Sequence, residues 1–498
     1  MNNSTYDKKP YATLALAEGE LSRLAALARL QGLDVADPSH CSVLEIGCGT
    51  GGNSIALAER YPHSRFVAFD LSTRQIDEAI ALTTRCGLQN ISFVASSIDG
   101  FTCEPETFDY IICHGVFSWV APEVQRQLFA LCARALSPQG VTLITYNVNP
   151  GWRQRGALRD SMRSGAFARS RQGTPDEQVK AGMELLSLVT TVREKGDDFY
   201  GRYMREGLSR LQDAHASYVF HEYLEQYNEP VLFSDFMGLA NEHRLQFLSE
   251  AKPSMMSSQY LGVEVAKYLE SVGDDSIARE QCLDVLTNRM FRETILCRDS
   301  HPLRRDLKSS VFRTLVFETD YRVVPEATHA DDDKIEFREI VSQRVVRAPR
   351  DEHAEILSML GRYPFGRGEF ALLVGQLDGK GSSLDERALL SVLVTLWRSG
   401  FVNLALPQEM PTAAKGRAQS SGIARSQAEG DGAVTSLLHR SHLLRGLERE
   451  CVKLGDGALS FEDIAQRVAM GAGERESREA LERVRELGFF YHTRSRRA

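Results

Sequence analysis

What the chain lacks narrows its class first. No apolar run is long enough to span a bilayer, and residues 1–30 hold no continuous apolar core followed by a cleavage site. Both absences predict a cytoplasmic protein with no membrane insertion. The nine cysteines are scattered and odd in number. They form no CxxC pair and no Cys/His cluster with zinc spacing, so reduced thiols are expected and no metal site. Basic charge is also short: 59 Lys and Arg stand against 67 Asp and Glu, a net charge of -8. Phosphate binding usually needs a basic face, so nucleic acid is not an expected partner.

What is present suffices for more than one core. At 498 residues, 43% hydrophobic and 25% charged, the chain reads as a globular protein of three or four domains. Residues 12–32 carry Leu21, Leu24, Leu27 and Leu30 at helical spacing, with Gly32 as the stop. From Val43 to about Trp152 the short apolar runs VLEI, RFVAFD, ISFVA, FDYIICHG and VTLITYN alternate with helical stretches, the rhythm of a parallel sheet covered by helices. After Trp152 the pattern is mostly helical to about Cys297. Residues 311–325 and 334–347 read as paired strands, and 351–406 as helices ending in the strand FVNLAL. The Gly/Ser/Ala-rich stretch 408–433 reads as a linker. Residues 372–406 and 447–492 share a layout of helix, Gly-containing turn, two helices and an apolar strand, a winged-helix-like repeat. Its acidic balance favours protein docking over DNA.

The richest motif is Val43-Leu44-Glu45-Ile46-Gly47-Cys48-Gly49-Thr50-Gly51-Gly52-Asn53, where a strand turns sharply into a helix. Gly47, Gly49 and Gly52 also satisfy the dinucleotide pattern GxGxxG. Electrostatics separates the two readings. A pyrophosphate on a helix N-terminus would be repelled by a carboxylate beside it, whereas the ammonium and sulfonium of S-adenosylmethionine tolerate Glu45. Asp70, at the end of RFVAFD, is placed to accept hydrogen bonds from both ribose hydroxyls of an adenosine; its structural alternative is a helix N-cap. Near the third strand, either Ser97 or Asp99 stands where an adenine amino group would be read.

The surrounding motifs are more specific. Tyr6-Asp7-x-x-Pro10-Tyr11, GCGTGGN at 47–53, DLSTRQI at 70–76, FDYIICHGVFSWV at 108–120 and TYNVNPGW at 145–152 resemble bacterial class I methyltransferases that carry a methyltransferase regulatory domain. That family includes the rickettsial-type protein lysine methyltransferases, which modify outer-membrane proteins. FHEYLEQYNEP at 220–230, FLSEAKP at 247–253 and DVLTNRMFRETILC at 284–297 extend the resemblance, which covers nearly the whole chain. It implies that Glu45, Gly47, Gly49, Asp70, Leu71, Ser97 and Ile98 line a pocket for S-adenosylmethionine, whose product is S-adenosylhomocysteine. Tyr6 and Tyr11 would close over it, the alternative being a loose tail. Asn53, Gln75 and His114 complete the candidate cofactor set.

In an open parallel sheet the ligand lies beyond the carboxyl ends of the strands. His114 through Trp119 and Tyr146 through Trp152 therefore face the transferable methyl group. Candidate catalytic residues are His114, Tyr146 and Asn147, with His114 read either as a base or as packing beside the cofactor. Phe117, Trp119 and Trp152 are candidate acceptor-binding residues, Trp119 and Trp152 equally readable as hydrophobic lids. His221, Glu222 and Tyr223 are a candidate wall of the acceptor groove rather than a metal site, since no second His is near.

The expected fold is α/β, with a doubly wound, Rossmann-like class I methyltransferase sheet over residues 1–160. A mainly helical domain follows at 161–305. A β-rich segment with the first winged-helix-like unit occupies 306–410, a linker 411–434, and the second unit 435–498. The expected activity is N-methylation of lysine on a protein partner. Its rivals are methylation of a small molecule and a non-catalytic protein that senses S-adenosylmethionine.

Overall fold

The computed structural model describes residues 13–193, 198–258, 261–324, 333–380, 384–409, 412–413 and 417–493. Its centre is a seven-stranded sheet in the order β3-β2-β1-β4-β5-β7-β6. The strands are β1 (Ser42–Ile46), β2 (Arg65–Asp70), β3 (Ile91–Ala95), β4 (Phe108–Cys113), β5 (Leu136–Asn147), β6 (Leu245–Glu250) and β7 (Phe291–Arg298). Strands β1 to β5 are parallel, while β7 runs antiparallel to both β5 and β6. β1 is buried at four of its five positions and β4 at five of six, as central strands covered on both faces must be.

The sheet does not end near Trp152. β6 and β7, which begin at Leu245 and Phe291, come from much further along the chain and close it, so the boundary expected at 160 cuts through the sheet. Neither strand stood out in a stretch that reads as helical. They are separated by the helices Val263–Ser271 and Ser276–Thr287. The truly helical insertion is shorter: Arg153–Ser170, Pro175–Val192, Phe199–Gln212 and Ala216–Tyr223 pack around Leu158, Met162, Met204 and Leu211.

The four leucines at helical spacing lie on the N-terminal helix, which spans Leu21–Leu30 with Glu20 accepting the Arg23 amide as its cap, while the residues ahead of it in the 12–32 stretch stay outside this helix. Gly32 at φ +91° ends the turn that follows. Leu21, Leu24 and Leu27 pack into the largest core with Val43, Leu143 and Leu404, so this helix joins the sheet to the C-terminal region.

Beyond the sheet, β8 (Val316–Glu318) pairs with β12 (Arg367–Glu369) and β13 (Asn403–Ala405), and β9 (Tyr321–Val323), β10 (Lys334–Glu339) and β11 (Val345–Pro349) form a second small sheet. Helices Glu352–Gly361, Phe370–Lys380 and Glu386–Arg398 complete the unit. The last unit repeats the three-helix run as Gly446–Lys453, Phe461–Ala469 and Glu474–Glu486. The stretch expected as a linker holds the helix Gly422–Ala428, whose Ile423, Ala424 and Ala428 are buried. Glu59 caps it by accepting the Gly422 and Ile423 amides. Low hydrophobicity misled here because small residues suit a helix that packs close to its neighbour. Among the described residues no helix is long and apolar enough to cross a membrane.

Candidate functional site

The turn after β1 is built on backbone freedom. Gly47, Gly49 and Gly51 have φ of +73°, +53° and +76°, a region that side chains with a Cβ rarely enter. Space is as restrictive as conformation. A Cβ on Gly52 would lie 2.3 Å from the Thr13 carbonyl oxygen, and one on Gly49 2.3 Å from Thr13 Oγ1. The segment from Thr13 to Leu16, expected as helix, instead lies against the turn, where Thr13 Oγ1 accepts the Thr50 amide at 2.9 Å. Tyr6 and Tyr11 lie outside the described residues.

Asp70 closes the turn from the next strand. Its Oδ2 accepts the Gly49 amide and its Oδ1 the Ser72 amide, both at 2.9 Å. The N-cap of the helix Thr73–Cys86 is Ser72, which accepts the Gln75 amide at 3.1 Å, so capping does not account for Asp70. Beside it Leu71 presents an apolar side chain that is 66% exposed. Gln75 is buried next to Gly49. Ser97 and Asp99 are tied together: a hydrogen bond from Ser97 holds the Asp99 carboxyl below its usual range. Ile98 is half-buried against the core.

Glu45 and Asn53 stand behind this turn. Glu45 is 3% exposed, and its carboxylate accepts from Asn53 Nδ2 at 3.0 Å and from Ser54 Oγ. Burial pushes its pKa up to about 7. Asn53 Oδ1 is taken as well, by the Leu16 amide at 2.9 Å and His439 Nε2 at 2.8 Å. The expectation that Asn53 binds the cofactor is therefore corrected: both ends of its amide are engaged within the protein.

At the other end of the cleft, His114 is exposed at the tip of β4. Its Nδ1 lies 3.0 Å from Thr145 Oγ1, which also accepts the Gly115 amide at 3.0 Å. Surrounding protein lowers the His114 pKa by desolvation; Glu18 opposes the shift and Lys252 adds to it. Thr145 pairs across the sheet with Glu293 of β7. Lys252 Nζ sits 3.1 Å from Glu293 and 2.8 Å from Glu18. Burial, reinforced by the Glu18 charge, raises the Glu293 carboxyl to about 7. Phe291, 41% exposed, meets the His114 ring edge-on with centroids 6.4 Å apart. Thr145, Glu293, Lys252, Glu18 and Phe291 were not singled out by sequence. The signal available was strand alternation: Thr145 and Asn147 point to one face and Tyr146 to the other.

That alternation corrects several expectations. Tyr146 is 1% exposed, stacked on Phe236 with centroids 3.9 Å apart and hydrogen-bonded to Thr294 at 3.0 Å. Phe117 is 0% exposed in the same aromatic cluster with Phe129 and Phe236. Both are core residues, not groups open to a substrate. Asn147 is buried with Nδ2 donating to Asn228 Oδ1 at 3.3 Å. Trp152 is buried at the start of a helix, with the Arg155 guanidinium 4.8 Å from its ring, so it is no lid. Trp119 stays half-buried after the 3-10 turn Phe117–Trp119 begins. His221 and Tyr223 are internal to the helical insertion, and Glu222 pairs with Arg155. His221 Nδ1 lies 3.1 Å from Glu225. These three residues do not wall a groove, because their short helix is packed on its apolar side.

Residues 43–140 match the family model for a methyltransferase domain, and residues 215–298 match the one described as a predicted methyltransferase regulatory domain. The second match contains β6 and β7, so both contribute to one sheet. An uncharacterized Rickettsia prowazekii protein, RP789, is 34% identical over 65% of this chain, a stretch that spans 58% of that protein. Another from the same organism, RP028, is 30% identical over 50% of this chain and 98% of its own length. PKMT2 from Rickettsia typhi, solved alone and in complex with AdoHcy, shares the fold over 97% of this chain at 22% identity and a TM-score of 0.84. The chain belongs to the class I methyltransferases that carry a methyltransferase regulatory domain.

Proposed function

We propose that this protein transfers a methyl group from S-adenosylmethionine to a lysine side chain of a protein substrate, releasing S-adenosylhomocysteine. The observation that carries the cofactor is Asp70 beside the glycine turn: a carboxylate at the tip of β2, held by two backbone amides and not used as a helix cap. The residues present fit the group. Asp70 would take the ribose hydroxyls, Leu71 and Ile98 would flank the adenine, and the glycine turn would admit the methionine portion. The bound cofactor supplies an electrophilic methyl carbon on a sulfonium.

The acceptor end supports an amine. A lysine ammonium must lose a proton before its nitrogen can attack that carbon in line. Phe291 beside His114 offers an aromatic edge, and Glu293 and Glu18, which share Lys252, add negative charge nearby, a setting that suits an amine losing its proton. The resemblance to rickettsial-type protein lysine methyltransferases favours a protein acceptor, as does the extent of chain beyond the sheet. We read the two C-terminal units as winged-helix-like modules that serve protein docking. The nine cysteines are all unpaired, which fits the cytoplasm.

Calorimetry with S-adenosylmethionine, S-adenosylhomocysteine and NAD tests the cofactor; tighter binding of NAD would overturn it. Mass spectrometry of proteins from cells lacking the gene tests the acceptor. The full chain is expected to methylate protein lysines and barely to methylate free lysine, because the flanking polypeptide orients the amine. Efficient turnover of a small metabolite with protein lysines ignored would replace this reading with the small-molecule one.

A further inference from the structure

The last unit of the chain reaches into the cofactor turn. His439 adopts a left-handed conformation, φ +56°, and is 1% exposed. Its Nε2 lies 2.8 Å from Asn53 Oδ1, a buried contact across 386 residues of sequence. The same oxygen accepts the Leu16 amide at 2.9 Å, while Asn53 Nδ2 donates to Glu45 at 3.0 Å. With the amide oriented in this way, Oδ1 can only accept, so His439 carries its proton on Nε2 and donates. Burial lowers the His439 pKa to about 3 and keeps the ring neutral, as a buried donor to an amide oxygen needs to be.

Other contacts seat the unit on the same face. Ser441 Oγ accepts the Ala15 amide at 2.9 Å, Glu59 accepts the Ile423 amide at 3.0 Å, and Arg60 donates to the Leu437 carbonyl. They dock the unit onto the helix Gly52–Arg60 and onto the segment lying over the glycine turn. His439 does something different, because it ends on the residue that holds Glu45.

We propose that the C-terminal unit is an integral part of the cofactor site, with His439 as a positioning residue that fixes Asn53, and through it Glu45 and the turn, in the geometry that receives S-adenosylmethionine. The inference rests on the reading that the glycine turn, residues 47–52, and Asp70 hold this cofactor. It has a regulatory consequence. A protein that loosens or tightens the C-terminal unit changes cofactor affinity, and by linkage bound cofactor changes the affinity for that protein by the same factor.

The test is calorimetry of S-adenosylhomocysteine on the full chain, with thermal unfolding measured in parallel. His439→Leu keeps the volume and loses the donor. It is expected to weaken binding about 10-fold and to raise KM for S-adenosylmethionine with kcat changed less than about 2-fold. His439→Gln places an amide N–H where Nε2 stood and is expected to restore binding to within about 2-fold. His439→Asn suits the positive φ but ends one bond short, so it should behave like His439→Leu, and it carries the test should the leucine variant not fold. A folded leucine or asparagine variant that binds as tightly as the unaltered chain would overturn the proposal. So would a glutamine variant as weak as the leucine one, since a merely structural role gives no rescue by the donor. Absence of binding to the unaltered chain would instead sink the cofactor reading, and this inference with it.

Discussion

The two ends of the cleft are assembled in different ways. At the cofactor end the groups come from adjoining strands, β1 with its turn and β2 with Asp70, joined by backbone amides. At the end proposed for the acceptor the neighbours are His114 just after β4, Thr145 of β5, Glu293 of β7, Lys252 just after β6, and Glu18 ahead of the first helix. The first end is local turn chemistry on a parallel βαβ unit. The second exists only when the segment matching the regulatory domain is woven into the sheet. That segment is thus part of the central sheet and not an appendage to it.

The largest expected effect tests that weaving. Arg292 is 0% exposed and lies 2.6 Å from Glu250, 3.0 Å from Glu280 and 2.8 Å from Asp284, with Phe233 beneath its guanidinium. Arg292→Met strands buried carboxylates and is expected to cost about 3–5 kcal/mol in urea unfolding, with methyl transfer lost. Unchanged stability would show that β6 and β7 are held by other means and would break the comparison.

Next comes the cofactor end. Asp70→Ala is expected to weaken S-adenosylhomocysteine by about 2–3 kcal/mol, read by calorimetry, through loss of hydrogen bonds to two ribose hydroxyls. Binding at full strength would remove Asp70 from the site.

A pH measurement sharpens the contrast further. Glu45 is raised from 4.5 to about 7 in the folded chain. Between those values the unfolded chain has released its proton and the folded chain keeps it, so Glu45 makes stability fall as pH rises through this window. Glu293, also raised to about 7, acts in the same direction. Glu45→Gln should therefore reduce the decline between pH 5 and pH 7 without abolishing it, by on the order of 2 kcal/mol in denaturant titrations. A slope identical to that of the unaltered chain would mean Glu45 ionises normally.

The smallest effect falls on His114. His114→Ala is expected to lower turnover about 10-fold while leaving cofactor affinity unchanged, as for a group that orients an acceptor. A drop of about 1,000-fold in stopped-time assays, with loss of the acid limb of the pH profile, would assign it as a general base instead.

Some of this was legible from residues alone. The strands β1 to β5, the glycine turn and Asp70 appear where the spacing put them, because short-range periodicity and positive φ leave a mark in the sequence. The face of Tyr146 was within reach by the same logic, since alternation along a strand ending at Thr145-Tyr146-Asn147 sends its ring away from Thr145. The buried state of Trp152 and His221 was not, because an aromatic or imidazole group looks the same in sequence whether it meets a substrate or another helix.

The sequence by itself determined the turn, its glycines and the carboxylate at the next strand tip. These depend on backbone geometry over a few residues. Only the tertiary structure decided that β7 slots between β5 and β6, that Glu293 and Lys252 stand beside His114, and that His439 reaches Asn53. Apart from the pairing of β6 with β7, each of those contacts closes a loop of more than a hundred residues, and its partner is selected by packing and hydrogen-bond satisfaction across the whole core, which no local pattern records.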